Sequence, residues 1–155
     1  FNSISGSVNR IALWTAATGR TGRNTKANTD MADFVYYNAN PKGLRTGDCV
    51  IRAFSFFFGT TWRTAFYDII SWCADRGLVS FNYRSSYNKF LAEKGYERHR
   101  TPLKGITVCG FCNCFAEKGK TYIVSMKGHL TIVQEGKIID TWDCSDKVID
   151  GYWER

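Results

Sequence analysis

Apolar side chains in the middle of the chain recur at the spacing of amphipathic helices. The segment Cys49–Phe58 is almost wholly apolar and is closed by Gly59, which predicts a short, largely buried helix. With Thr60 or Thr61 as its cap, a second helix is predicted to end before Gly77. Its apolar face is formed by Trp62, Ala65, Phe66, Ile69, Ile70 and Cys73. That face is expected to pack on the first helix.

The spacing becomes strand-like after Gly119. Before that point, two shorter helices are predicted at 86–94 and at 107–117, although Gly110 weakens the second. Strands are predicted at 32–37, 121–125, 129–134, 137–142 and 148–153. The third and fourth of these form a hairpin around a tight turn at Glu135-Gly136. Helices followed by an antiparallel sheet predict an α+β fold.

Length and composition favour one packed domain. The chain has 155 residues, 44% of them apolar and 15% aromatic, which excludes a disordered composition. No stretch approaches the roughly 18 consecutive apolar residues that suggest a membrane span. We expect a basic N-terminal arm and strand region at 1–40, and the main body of the single domain at 41–155.

The net charge of +7 raises the question of a nucleic-acid partner. Residues 1–47 contain six basic and two acidic side chains, so more than half of this charge lies there. The polar, glycine-containing stretch at 20–30 predicts a flexible loop. No aromatic residues alternate with its basic ones, so a solvated arm is favoured. Weak nucleic-acid contact through the arm is kept as a minor hypothesis.

Six cysteines would allow three disulfides in a secreted protein. The first residues show no basic region followed by an apolar one, so free thiols in a reducing, cytoplasmic compartment are the simpler interpretation. A metal site at Cys109–Cys114 would need a fourth ligand, for which only Cys144 is near. These cysteines are therefore interpreted as structural, and no metal or cofactor is expected.

One cysteine and one histidine stand out as candidates for chemistry. Cys49 begins an apolar helix, where the helix dipole and unpaired N–H groups lower a thiol pKa and can stabilise an oxyanion. His129 opens a predicted strand, and Asp140 and Asp143 lie on the returning strand. These residue types are the parts of a thiol acyl-transfer site. His99 lies among charged residues and is interpreted as a surface residue.

Two motifs carry a family resemblance. The first is Thr46-Gly-Asp-Cys-Val-Ile-Arg-Ala-Phe, which resembles the nucleophile motif of papain-like cysteine peptidases and, in particular, the Gly-Asp-Cys-Leu-Phe-Arg-Ala signature of OTU deubiquitinases. The second is Gly128-His-Leu-Thr-Ile-Val-Gln-Glu-Gly-Lys-Ile-Ile-Asp-Thr-Trp-Asp-Cys, which resembles the histidine, hairpin and aspartate arrangement of that superfamily. With Trp62 and Gly151-Tyr-Trp, the order over residues 40–153 is similar to small papain-like proteins of phages and their bacterial hosts. For a phage protein, the location would be the host cytoplasm or the virion.

The resemblance implies a papain-like fold with Cys49 as nucleophile and His129 as general base. Hairpin geometry leaves the third member open: a two-residue turn puts Asp140 on the histidine's face, and a three-residue turn puts Asp143 there. The resemblance favours Asp143. Papain-type enzymes supply an oxyanion-hole glutamine six residues before the cysteine, but Gly43 stands there. A backbone N–H group, Asn40 or a degenerate site are the alternatives.

Two functions follow as expectations. The first is a cysteine peptidase or amidase that cleaves a peptide or isopeptide bond of a peptide or protein through a thioester. The second is an inactive papain-like scaffold, virion-associated or binding nucleic acid or protein, which the missing glutamine favours slightly. The sequence does not distinguish hydrolysis from transfer to an amine.

Overall fold

The computed structural model describes residues 32–155. Its helices are α1 (Cys49–Phe58), α2 (Trp62–Asp75), α3 (Arg84–Glu93) and α4 (Val108–Cys114). Its strands are β1 (Asp33–Tyr36), β2 (Thr121–Met126), β3 (His129–Gln134), β4 (Lys137–Asp140) and β5 (Ile149–Glu154). The predicted loop at 20–30 and most of the basic arm lie outside the described residues. The mixed α and β composition is as expected.

The observed helices lie close to the positions that the local sequence signals predicted. Residues 49–58 form α1, which ends at Gly59 in the left-handed conformation, at φ 64°. The Thr61 side chain caps α2 by accepting a hydrogen bond from the Thr64 backbone N–H at 3.1 Å. The fourth helix is shorter than expected, because it begins after Thr107 and ends at Cys114. None of the described helices is long and apolar enough to cross a membrane.

The five strands form one sheet in the order β1-β4-β3-β2-β5. The strand predicted near residue 33 is confirmed, but β1 pairs with β4 in parallel. The expectation of an antiparallel sheet is therefore wrong at this edge, and the sheet is mixed. The predicted arrangement followed the hairpin near the C-terminus. The sequence contains no local signal for the direction in which β1, which four helices separate from that hairpin, pairs with it.

The hairpin turn decides which side chains share a face. Gln134 pairs with Lys137, so the loop is the two residues Glu135 and Gly136, both with positive φ (50° and 71°). Such a turn matches the twist of the two strands. Continuing the register from Ile132 opposite Ile139 puts Asp140 opposite Thr131, diagonal to His129.

The sheet separates two hydrophobic clusters. One cluster contains the buried faces of α1, α2 and α3 and takes Ile123, Leu130 and Trp153 from the sheet. The other contains α4 and takes alternate residues of the same strands, including Val124 and Val133. Every residue of β2 is buried as a result. The first cluster holds α1 against β3, which brings their N-terminal ends together.

Candidate active site

Cys49 is the first residue of α1 and is partly exposed. The preceding residue, Asp48, is the N-cap but makes no side-chain cap hydrogen bond. Its carboxylate instead accepts from the indole nitrogen of Trp62 at 2.8 Å and from Asn40 Nδ2 at 3.1 Å. The first turn of α1 therefore begins at the nucleophile candidate without a carboxylate on its N–H groups.

His129 is the first residue of β3 and contacts both other members of the site. Its Nε2 lies 2.6 Å from Asp140 Oδ2, and its ring also hydrogen-bonds the Cys49 thiol. Because Nε2 faces the carboxylate, Nδ1 is the nitrogen left for sulfur. The Trp142 ring lies against the imidazole, with centroids 5.1 Å apart. The histidine is therefore fixed by a carboxylate on one edge and an indole on one side.

The electrostatics of this pair favour charge separation. Burial opposes a charged imidazole, but hydrogen bonds to Asp140 and Cys49 outweigh it and raise the pKa of His129 to about 9. Burial likewise opposes a thiolate, yet the hydrogen bonds from His129 and from the Leu130 backbone lower the pKa of Cys49 below its usual value. The positive charges of His129 and Arg52 act in the same direction. Both shifts favour the form of the pair in which a thiolate lies beside an imidazolium.

Asp140, and not Asp143 as the resemblance favoured, is the carboxylate that contacts His129. The Asp143 carboxylate is exposed and accepts a hydrogen bond from the Ser145 backbone at 2.9 Å. Asp140 is only 4% exposed and also accepts from the Thr141 backbone N–H. The favoured assignment to Asp143 is therefore wrong about this contact. The two-residue hairpin turn is the physical reason, since it sets the register that carries Asp140 to the histidine.

Arg52 lies between the carboxylates of Asp48 and Asp140, a position that the sequence did not predict. Its guanidinium forms an ion pair with Asp48 on one side and lies 3.5 Å from Asp140 Oδ1 on the other. The whole arginine side chain is buried. A charged residue one turn after the cysteine, within an apolar helix and four residues after an aspartate, was the signal available in the sequence.

The side-chain amide of Asn40, one expected source of an oxyanion hole, is occupied by other hydrogen bonds. Asn40 directs its amide nitrogen to Asp48, and its Oδ1 accepts from the Lys42 backbone. Gly43 is exposed in a turn at φ 65°. Of the alternatives left open by the sequence, the backbone N–H groups at the start of α1 are the ones adjacent to the sulfur.

No family model, curated protein or solved structure matches the chain. The site therefore stands on its own geometry.

Two clefts meet over the cysteine and histidine. They share Gly47, Cys49, Gly128 and His129 in their walls and measure about 300 and 340 Å³. The first extends toward Arg45, Thr46, Thr141 and Trp142, and the second toward Asn82, Tyr83, Arg84 and Tyr87. Reactive atoms at the junction of two clefts are accessible to an extended chain that occupies both.

A possible set of metal ligands overlaps the same residues. His129, Asp140 and Cys144 each offer one ligand atom, all within 4.8 Å of one another. A metal there would have to replace the hydrogen bond between the imidazole and Asp140. It would also need a Cys144 thiolate, whereas burial raises the pKa of this thiol to about 12. These residues fit a hydrogen-bonded triad better than a metal centre.

The other sequence candidates lie apart from this chemistry. All six cysteines lie in the described part of the chain, and no disulfide joins any two of them. Within residues 32–155, the 109–114 segment contributes no group of three close metal-ligand atoms. His99 is half-buried and stacks on Tyr152 of β5, at the sheet edge opposite β1. It is less exposed than the sequence had suggested.

Proposed function

We propose that the protein is a cysteine peptidase or amidase of papain-like fold. The observation that carries the proposal is the continuous hydrogen-bonded arrangement from the Cys49 thiol through His129 to Asp140. Each member has the pKa shift that its role requires: lowered for the thiol and raised for the imidazole. The target bond is a peptide or isopeptide bond, because a soft thiolate nucleophile is suited to acyl transfer.

The first half-reaction acylates the enzyme. The Cys49 thiolate attacks the carbonyl carbon and forms a tetrahedral intermediate, whose oxyanion accepts hydrogen bonds from first-turn N–H groups of α1. His129 gives its Nδ1 proton to the leaving nitrogen as the C–N bond breaks. The amine leaves, and the acyl group remains on sulfur as a thioester.

The second half-reaction restores the thiolate. Neutral His129 removes a proton from water, whose oxygen attacks the thioester carbonyl, and the C–S bond breaks to release the carboxylic acid. Throughout both steps Asp140 keeps the Nε2 proton in place, so that Nδ1 is the nitrogen that exchanges protons. An amine in place of water would yield transfer instead of hydrolysis.

The charge state predicts the pH profile. The thiolate persists as the pH falls below the ordinary thiol value of 9.0, because the pKa of Cys49 is lowered. The proton needed for the leaving group is lost as the pH rises through about 9, the raised value of His129. We therefore expect acylation to be fastest between the lowered pKa of Cys49 and the raised pKa of His129, and to decline as the pH rises past about 9.

The decisive experiment is hydrolysis of a mixed peptide library, read by mass spectrometry, with wild type, Cys49→Ala and Cys114→Ala. Cleavage is expected with wild type and with Cys114→Ala, which alters another partly exposed cysteine. It should disappear with Cys49→Ala. Acid-quenched wild type should carry an acyl adduct on Cys49 that hydroxylamine removes. Cleavage that survives in Cys49→Ala would contradict the proposal.

The inactive-scaffold alternative predicts a different result in the same assay. Its basic arm lies mainly outside the described residues, so its support remains the missing glutamine and the charge of residues 1–47. Absence of both cleavage and acyl adduct, combined with salt-sensitive binding of DNA or RNA by Cys49→Ala, would favour it.

A further inference from the structure

We propose that the substrate carries acidic side chains on both sides of the bond that is cleaved. This inference rests on the proposed function. Its starting point is the pair of clefts that meet at Gly47, Cys49, Gly128 and His129. A substrate whose carbonyl lies at Cys49 has one flank in each cleft. The charges of the two clefts therefore select the residues before and after that carbonyl.

Among residues 32–155, no carboxylate pairs with the exposed arginine that lines the first cleft. Arg45 lines it, and its guanidinium donates to the backbone carbonyl oxygen of Thr141. A carbonyl group carries no net charge, so this contact orients the arginine and neutralises nothing. Arg45 is exposed, and its remaining N–H groups are available to a carboxylate.

The second cleft is positive for a different reason. Arg84 lines it and pairs with Asp150. The same carboxylate also pairs with Arg98, at 3.0 Å. Two guanidinium groups therefore share one carboxylate, which leaves a net charge of +1 beside the cleft. The Arg84 side chain is 46% exposed, so a second carboxylate can reach it.

Acidic groups are absent from the walls of both clefts within the described part of the chain. The nearest site carboxylates, Asp48 and Asp140, are each 4% exposed and face Arg52. The groove between α2 and α3 is different, because Asp68 and Asp75 line it. The two clefts at Cys49 are thus lined by basic and not acidic side chains, whereas the α2–α3 groove is lined by both.

The midpoint of the clefts accommodates the substrate backbone. Gly47 and Gly128 lie there, and a Cβ atom added at Gly47 would meet nothing within 4 Å. The absence of side chains allows a peptide to approach the sulfur closely. The expected ligand is therefore an extended peptide with Glu or Asp on each flank and an unobstructed bond between them.

The test measures binding first, because binding does not require turnover. Three fluorescent peptides of equal length carry Glu, Gln or Lys at both flanks, and their affinity for Cys49→Ala is measured by anisotropy at low and physiological salt. The Glu peptide is expected to bind most tightly and to weaken most with salt. Adding Arg45→Gln or Arg84→Gln should weaken it about 2- to 5-fold each. Lys94→Gln removes one positive charge from the α2–α3 groove and should change nothing.

Equal binding of the three peptides, or a Glu peptide unaffected by both arginine substitutions, would overturn the inference. Undetectable binding of the Glu peptide would also overturn it. Failure of the proposed function is a separate result, since it appears as absent cleavage by wild type. The cleavage assay with the same peptides adds kcat/KM, which should follow the order Glu, Gln, Lys.

Discussion

Cys49 and Cys144 both lie next to the His129–Asp140 pair, yet their thiol pKa values shift in opposite directions. Burial raises the pKa of both thiols. Around Cys49, positively charged and hydrogen-donating neighbours reverse that effect, whereas the carboxylates of Asp140 and Asp143 add to it at Cys144. The sign of the neighbouring charges decides which thiol can act as a nucleophile.

Alkylation should separate the two thiols by the largest factor. At pH 7, a thiol with a pKa of about 12 is thiolate to the order of one part in 10⁵. Iodoacetamide should therefore modify Cys49 at least on the order of 10³-fold faster than Cys144, measured by peptide mapping over time. In urea the two rates should converge, because the folded environment is lost. Similar rates in the native protein would contradict the assigned thiolate.

His129→Gln sharpens the same measurement. The substitution removes the ring that supplies both a hydrogen bond and positive charge to Cys49, so the thiol pKa should rise. The pH dependence of Cys49 alkylation should shift to higher pH as a result. An unchanged profile would show that the α1 terminus alone sets the thiol pKa.

The two aspartates offer the next largest contrast. Asp140→Asn removes the carboxylate that fixes the Nε2 proton, and kcat should fall by about 100-fold or more. Asp143→Asn alters only an exposed carboxylate bonded to a backbone N–H and should stay within about 2-fold of wild type. Peptide hydrolysis at several pH values checks both. A larger loss from Asp143→Asn would restore the assignment that the family resemblance favoured.

This pair also shows what the sequence could predict. Local signals were sufficient for α1 and for the hairpin, because a helix start or a tight turn depends on adjacent residues. The hairpin sequence was compatible with a turn of two residues and with a turn of three. The length of the turn decides whether Asp140 or Asp143 lies on the same face of the sheet as His129. The parallel pairing of β1 with β4 lay beyond local reasoning, since it depends on contacts between residues about 100 positions apart.

Arg52 tests whether the buried ion network holds the site together. Arg52→Met keeps the length of the side chain but removes the charge from between Asp48 and Asp140. The Cys49 thiol would lose one of the charges that lower its pKa, so alkylation and hydrolysis should fall by about 10-fold and shift to higher pH. Arg52→Lys keeps the charge and should recover the pH profile more fully than the rate. Circular dichroism of both variants controls for unfolding. Identical pH profiles for Arg52→Met and wild type would leave the arginine with a packing role only.

A thiol remote from catalysis should show the smallest effect, and it should be an effect on stability. Cys112 is 5% exposed, and burial raises the pKa of its thiol to about 12. Cys112→Ala should lower the free energy of unfolding by about 1 kcal/mol at pH 7 while leaving hydrolysis unchanged.

Above pH 9 the unfolded wild type releases the Cys112 proton, whereas the folded protein retains it up to about pH 12. The wild type therefore loses stability with rising pH in this window, and the variant lacks this contribution. Urea unfolding at pH 7 and pH 10 should show the difference between the two proteins shrinking. A difference that stays constant would mean that the Cys112 thiol ionises in the folded protein as readily as in the unfolded chain.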